Sequence, residues 1–235
     1  MSATVRVLAG GAAKGLVGAL AARFRDESGA TIAGTFNAVG AIREQLAGGA
    51  PCDVLILTDS MLAELAHEGR VDAGSIVALG RVDTGVAVRS GEPHPAIGDA
   101  GALHATFGAA RGLYCPDPER ATAGIHFVRV LRELDLWPAV APRLRPFASG
   151  GIAMQAMADA DEPGLVGCTQ VTEILYTTGV ELAGVLPPPY ALATTYAAGV
   201  SAHAAEPDLA RRLIALLAGA DARALREAGG LRAVT

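Results

Sequence analysis

The chain has 235 residues, which is enough for one large domain or for two smaller lobes. Because 51% of the residues are hydrophobic and only 18% are charged, we expect a globular fold with a substantial core. The formal net charge of −5 argues against a surface that binds nucleic acid, and no stretch is long and apolar enough to insert into a membrane. The expected partner is therefore a small molecule.

Cysteine usage and the start of the chain bear on metal sites and on location. Cys52, Cys115 and Cys168 are odd in number and widely spaced, so they predict buried apolar side chains rather than a disulfide framework or a zinc site. No motif predicts a metal or a cofactor, and we expect neither.

The first residues, MSATVRVLAGG, lack the pattern of a signal peptide. We expect the sequence as written to be cytoplasmic; a trimmed mature form would be periplasmic, and only then would a transporter be a partner.

Three strand–helix units open the chain. Strands are predicted at residues 4–9, 31–36 and 54–57, and a helical pattern of apolar residues follows each of them. Such a series implies a parallel sheet, in which the loops after the strands meet at one edge and commonly bind ligands. These loops contain the ligand-binding candidates Gly11, Ala12, Lys14, Asn37, Val39, Gly40 and Thr58. Thr58 is also expected to cap the helix that follows it.

Lys14 stands out among these candidates because it is the only lysine among 19 cationic residues, the others being arginines. It falls in the first turn of a predicted helix, where a cation opposes the helix dipole. An ammonium group differs from a guanidinium group in size, donor geometry and ability to release a proton. We therefore expect Lys14 to contact an anionic ligand, and to be the catalytic residue if the protein is an enzyme; the alternative is a solvated surface lysine.

The second half of the chain repeats the pattern after a Pro- and Gly-rich loop at residues 90–98. Strands are predicted at residues 112–115, 144–147 and 164–168. The loops after them contain the remaining ligand-binding candidates, Thr122, Ala123, Ser149, Gly150, Gly151 and Thr169. Thr122 is expected to cap a helix. Glu173 is either an exposed helix carboxylate or a base.

Three stretches, AGGAAKGL, GAPCDV and PDPERATAG, carry a resemblance to a known family. The chain resembles the type II periplasmic-binding-protein fold and, within it, the group of the bacterial molybdate-binding proteins. The resemblance implies an α/β fold of two lobes, each a mixed and mostly parallel sheet flanked by helices. Lobe 1 would contain residues 1–82 and 200–235 and lobe 2 residues 83–199, with a ligand cleft between them in which hydroxyl and backbone N–H groups hold an oxyanion.

The sequence departs from this family where molybdate would be bound. Two serine hydroxyls of the family would fall at Ala12 and near Val39 and Gly40, and a tyrosine would fall near Thr169. Each charge-assisted hydrogen bond lost in this way is worth about 1.5–3 kcal/mol. We therefore expect a small organic anion, a carboxylate, in place of molybdate.

Two functions remain open at this point. One is a solute-binding module that closes on the organic anion without chemistry, as in proteins that serve ABC transporters. The other is a cofactor-independent isomerase of an unsaturated di- or tricarboxylate, because the resemblance extends to enzymes of the aconitate-isomerase kind. Such an enzyme removes and returns a proton beside a carboxylate and needs a group with a tuned pKa.

Overall fold

The computed structural model describes residues 3–234, which form nine β-strands and ten α-helices. The strands are β1 (Thr4–Gly10), β2 (Thr31–Asn37), β3 (Val54–Thr58), β4 (Val77–Arg89), β5 (Gly112–Pro116), β6 (Leu144–Phe147), β7 (Leu165–Gln170), β8 (Val180–Val185) and β9 (Ala193–Val200). The helices are α1 (Lys14–Ser28), α2 (Val39–Ala47), α3 (Asp59–His67), α4 (Ala100–Ala109), α5 (Thr122–Glu133), α6 (Trp137–Val140), α7 (Gly150–Ala158), α8 (Val171–Leu175), α9 (Pro207–Ala218) and α10 (Arg223–Ala228). The predicted α/β class is confirmed.

The chain folds as two compact units. Unit 1 runs up to Val82 and resumes at Thr194, whereas unit 2 comprises Asp83–Ala193. The chain leaves unit 1 within β4 and returns to it at the start of β9.

The sheet of unit 1 has the strand order β2-β1-β3-β9. β1 runs parallel to β2 and β3, and β9 runs antiparallel to β3. The register sets Gly10 opposite Asn37, so the ends of β1 and β2 are level, and β3 ends nearby at Thr58. The loops after the three strands therefore lie at one edge of the sheet, as the sequence predicts. We call this the unit 1 carboxyl edge.

Two amphipathic helices pack against each other in unit 1. α1 buries Leu16, Val17, Leu20 and Phe24, and α9 buries Ala210, Leu213, Ile214 and Leu217. Burying each large aliphatic or aromatic side chain contributes about 1.5–3 kcal/mol. α1 ends at Gly29, whose φ of 70° is the left-handed conformation that favours glycine at a helix C-terminus.

A buried carboxylate ties three segments of unit 1 together. Asp53, within the GAPCDV stretch, is only 1% exposed. One of its oxygens accepts a 2.7 Å hydrogen bond from the backbone N–H of Arg6, and the other accepts bonds of 2.7 and 3.1 Å from Ala205 and Glu206. Asp53 thus fixes β1 and the entry to α9 at once.

The sheet of unit 2 has the order β4-β7-β5-β6, and β8 also pairs with β4. β7 runs parallel to β5 and antiparallel to β4, and β5 runs parallel to β6. The ends of β5, β6 and β7 and the segments that follow them form the unit 2 carboxyl edge. One core cluster, which includes Phe107, Phe127 and Leu131, packs α4 and α5 on one face, and a second, with Met154 and Met157 of α7, covers the other.

The structure differs from the predicted elements at two helices, and the cysteines are buried as predicted. α4 and the short helix α6 were not predicted; Asp99 caps α4 by accepting a 2.9 Å hydrogen bond from Ala102 N–H. All three cysteines are free and buried, and burial raises the pKa of Cys52 to about 12. Within residues 3–234, no helix is long and apolar enough to cross a membrane.

The Asp53→Ala substitution is expected to lower the free energy of unfolding by about 3 kcal/mol, because it removes the buried carboxylate that accepts three part-buried backbone hydrogen bonds. Urea denaturation measures the change. The control is Asp208→Ala, since the Asp208 side chain is 97% exposed and its removal should cost well under about 1 kcal/mol. Equal losses in the two variants would show that Asp53 does not anchor the unit.

Candidate functional site

The first strand of unit 1 ends in a turn that points toward the carboxyl edge. Gly11 and Ala12 lie in a 3-10 turn, Gly11–Ala13, and both are buried. α1 begins directly after this turn with Lys14, whose side chain is exposed. No side chain caps α1. The backbone N–H groups of its first turn and the positive end of its dipole therefore favour an anion at this edge.

The second strand ends beside the first. Asn37 is the last residue of β2, and its side-chain oxygen accepts a 2.8 Å hydrogen bond from Ala38 N–H. α2 begins at Val39, followed by Gly40, and no side chain caps this helix either. Because Gly10 and Asn37 are register partners, the N-terminal turns of α1 and α2 follow adjacent strand ends.

Apolar side chains lie close to Gly10, the last residue of β1. A Cβ atom added to Gly10 would lie 3.0 Å from Val39 Cγ1 and 3.1 Å from Tyr196 Cε1. Val39 is 7% exposed and Tyr196 is 4% exposed. Sequence reasoning did not single out Tyr196. This aromatic ring and Val39 provide the close apolar contacts at Gly10.

Thr58 caps α3, as the sequence predicts. Its hydroxyl oxygen accepts a 3.3 Å hydrogen bond from Met61 N–H and lies 3.4 Å from Ser60 Oγ. Thr58 is buried and is the register partner of Tyr196 on β9. The structure thus brings the predicted residues of unit 1 to one edge, where the N-termini of α1 and α2 lack side-chain caps and that of α3 has one.

In unit 2, a carboxylate of the protein itself occupies the N-terminus of α7. Ser149 caps this helix by accepting a 3.3 Å hydrogen bond from Ile152 N–H. Glu173 Oε1 accepts a 3.1 Å bond from Gly151 N–H, and Glu173 Oε2 accepts a 2.6 Å bond from the Thr169 hydroxyl. Glu173 is only 4% exposed, so the reading of it as an exposed helix carboxylate is wrong.

The glycine pair at the start of α7 makes this arrangement sterically feasible. A Cβ atom on Gly150 would lie 1.9 Å from Thr169 Oγ1 and 2.0 Å from Glu173 Oε2. A Cβ atom on Gly151 would lie 2.0 Å from the Tyr176 hydroxyl. Gly150, Gly151 and Thr169, three predicted ligand-binding residues, therefore surround Glu173.

Burial dominates the electrostatics of Glu173. Desolvation raises the pKa of its carboxyl group, while hydrogen bonds from Thr169, Gly151 and Gly150 act in the opposite direction. Burial likewise raises the pKa of Tyr176, and the charge of Glu173 adds to that effect. The ionised form of Glu173 is thus disfavoured in the folded protein relative to an exposed glutamate.

The N-terminus of α5 is different from that of α7. α5 begins at Thr122, and its N-cap is Ala121, whose side chain has no acceptor, so the prediction that Thr122 is the cap is wrong. Ala123 is buried, and a Cβ atom on Gly124 would lie 2.3 Å from the Asp117 carbonyl oxygen. This contact explains the glycine in PDPERATAG. Within the described part of the chain no side chain caps α5, whereas Ser149 and Glu173 accept hydrogen bonds from the first turn of α7.

Two α/β units with helix N-termini at the carboxyl ends of parallel strands are typical of periplasmic binding proteins. The sequence pattern of the family described as bacterial extracellular solute-binding protein matches residues 5–232. The chain belongs to this family.

Individual relatives agree with this assignment. An aconitate isomerase from a Pseudomonas species is 29% identical over 197 residues, which are 83% of this chain and 72% of that protein. The periplasmic molybdate-binding protein of Azotobacter vinelandii aligns with a TM-score of 0.80 at 21% identity, covering 98% of this chain and 100% of that one. The sulfate-binding protein SubI of Mycobacterium tuberculosis H37Rv aligns with a TM-score of 0.75 at 18% identity, covering 99% and 87%. The resemblance predicted from the sequence motifs is confirmed.

The free energy of unfolding of the Glu173→Gln variant is expected to increase relative to that of wild type as the pH rises. Because the folded-state pKa of Glu173 is raised, the wild-type residue loses stability as the pH climbs from about 4, its unfolded pKa, through the folded value. Glutamine keeps the shape, does not ionise, and can accept from Gly151 N–H and donate to Thr169.

Urea denaturation of both proteins at several pH values between about 4 and 8 tests this expectation. The matched control is Glu119→Gln, since Glu119 is exposed. A difference in free energy of unfolding between Glu173→Gln and wild type that stays constant with pH would contradict the burial argument.

Proposed function

We propose that the protein binds a small organic anion that carries at least one carboxylate. The observation that carries the proposal is the pair of helices on the unit 1 carboxyl edge, α1 and α2, which start without side-chain caps beside Lys14. Helix N-termini bind anions through backbone N–H groups and the dipole, and an ammonium group adds a full charge. Membership of a solute-binding family supports a small ligand.

The side chains at the edge favour an organic anion over an inorganic oxyanion. Ala12 and Val39 offer no hydroxyl group, and Val39 and Tyr196 form an apolar wall at Gly10. In unit 2, Gly151 N–H and the Thr169 hydroxyl already donate to Glu173. A tetrahedral dianion needs many donors, whereas a carboxylic acid with a carbon skeleton needs fewer and can use the apolar wall.

An isomerase of an unsaturated di- or tricarboxylate is the second candidate, and the aconitate isomerase relative favours it. The reaction removes a proton from a carbon next to a carboxylate and returns a proton at the other end of the allylic system. Lys14 is the candidate for this transfer, because a neutral amine accepts a proton and the resulting ammonium returns it.

Substitution of Lys14 separates binding from catalysis. Lys14→Met removes the charge and should weaken binding of the best acid by about 1–3 kcal/mol, which is about 5- to 150-fold. Lys14→Arg keeps the charge and should retain most of the affinity. If Lys14 transfers a proton, Lys14→Arg should bind but fail to exchange substrate hydrogen with solvent, because guanidinium does not deprotonate near neutral pH.

The measurements are calorimetric titrations with citrate, isocitrate and the cis and trans isomers of aconitate, followed by NMR detection of deuterium incorporation in D₂O. Arg6→Met is the control for net charge, since Arg6 is exposed and lies near the opposite end of β1. Unchanged affinity in Lys14→Met would refute the role of Lys14. Failure of the wild type to incorporate deuterium into any of the acids it binds would leave the binding module and exclude the isomerase for these substrates.

A further inference from the structure

Unit 2 contains a cluster of buried polar side chains that the contacts described so far do not use. Gln170 is 2% exposed, Thr84 is 1% exposed and Thr172 is 3% exposed. Within residues 3–234, neither polar atom of the Gln170 amide has a hydrogen-bond partner, and the same holds for the hydroxyls of Thr84 and Thr172. Buried polar groups in folded proteins are nearly always paired, so a cluster of unpaired ones is an exception that requires a reason.

The register of the sheet brings two of these side chains together. Gln170 is the last residue of β7, and Thr84 is its register partner on the antiparallel strand β4. Side chains of directly opposite residues emerge on the same face of a sheet about 5 Å apart at Cβ. Thr172 follows two residues later in α8. The two neighbouring strands thus bring the side chains of Gln170 and Thr84 to one place.

This place lies on the unit 2 carboxyl edge, on the side of α5. Cys168 and Val86, which are also register partners, precede Gln170 and Thr84 on the same face and pack in the core cluster that contains Phe127 of α5. Thr169 points to the opposite face, where it donates to Glu173 at α7. The Gln170 amide is therefore on the same side of the sheet as the helix whose N-terminus has no side-chain cap.

The N-termini of α5 and α7, the two helices at this edge, differ in the side-chain acceptors that they have. Glu173 supplies a carboxylate to α7, whereas the N-cap residue of α5, Ala121, has no side-chain acceptor to offer its first turn. Amide and hydroxyl donors beside open backbone N–H groups form a neutral binding surface for an anion. A carboxylate of the ligand would take the role at α5 that Glu173 takes at α7.

We propose that Gln170 and Thr84, together with the first turn of α5, form the unit 2 binding site for a carboxylate of the ligand. This inference rests on the proposed function for the nature of the ligand, but the unpaired state of Gln170 stands independently of it. Gln170 donates through Nε2 to the carboxylate, and the Thr84 hydroxyl donates to the same group or to Gln170 Oε1. The uncharged side chain at position 170 matters for binding, because a carboxylate there would repel the carboxylate of the ligand.

The first test needs no ligand. Gln170→Met keeps the length of the side chain and removes the unpaired amide, so its melting temperature should equal that of wild type or exceed it by up to about 4 °C. Thr84→Val, which keeps the shape of the side chain in a strand, should behave in the same way. A fall of several degrees in both variants would show that these groups are structural, and would overturn the proposal.

The second test is binding of the acid in the citrate, isocitrate and aconitate panel that titrates most tightly with wild type. Gln170→Met should weaken it by about 10- to 100-fold, and Gln170→Glu should weaken it further through like-charge repulsion. The control is Gln155→Met, since Gln155 lies exposed on α7 and bonds only Asp159 among the described residues; its affinity should match wild type.

The outcomes separate the two proposals. Unchanged affinity in Gln170→Met and Gln170→Glu would overturn the role of Gln170 while leaving the proposed function intact. Absence of binding by wild type to every acid in the panel would refute the proposed function for these acids and with it the carboxylate assigned to Gln170. The melting comparison would still decide whether the protein holds this amide unpaired at the expense of its stability.

Discussion

The carboxyl ends of parallel strands lie at one edge of a sheet, and the helices that follow them must begin there. In each unit this constraint collects backbone N–H groups and positive dipole ends at the carboxyl edge, and each of them requires an acceptor. Thr58 supplies one to α3 and Ser149 supplies one to α7. α1, α2 and α5 have none from a capping side chain. The binding chemistry that we propose for the protein follows from this difference.

Glu173 shows what a helix N-terminus of this fold accepts. A fully buried carboxylate, paired with a hydroxyl and a backbone N–H group, is tolerated there although burial raises its pKa. The Gly150 and Gly151 positions, where any Cβ atom would collide, bring it close enough. Our proposals assign the same chemistry at α1, α2 and α5 to a carboxylate that is not part of the chain.

The sequence predicts the strands well because their apolar runs end at clear turn signals. β6 has the predicted bounds, and β1, β2 and β3 differ from prediction by only one residue at an end. α4 was missed because its Ala- and Gly-rich sequence lacks a helical period of large apolar residues, and Thr122 was given a capping role that Ala121 occupies.

The interior of the site could not be predicted, because it depends on contacts between distant residues. Glu173 meets Gly151 across 22 positions, and Tyr196 approaches Gly10 only through the pairing of β9 with β3. Local periodicity carries no information on either contact. Likewise, the missing partners of Gln170 and Thr84 become visible only when the register of β4 and β7 is known.

The central claim is that the open helix N-termini, Lys14 and the apolar wall of Val39 and Tyr196 select an organic carboxylate over an inorganic oxyanion. Competitive calorimetry tests it most directly, with molybdate and sulfate titrated into the protein before and after saturation with the tightest-binding polycarboxylate. The account predicts no tight binding of either oxyanion, and a polycarboxylate affinity that neither of them reduces at millimolar concentration. A sub-micromolar dissociation constant for molybdate or sulfate would contradict it, because backbone donors and Lys14 would then suffice without the hydroxyls that Ala12 and Val39 lack.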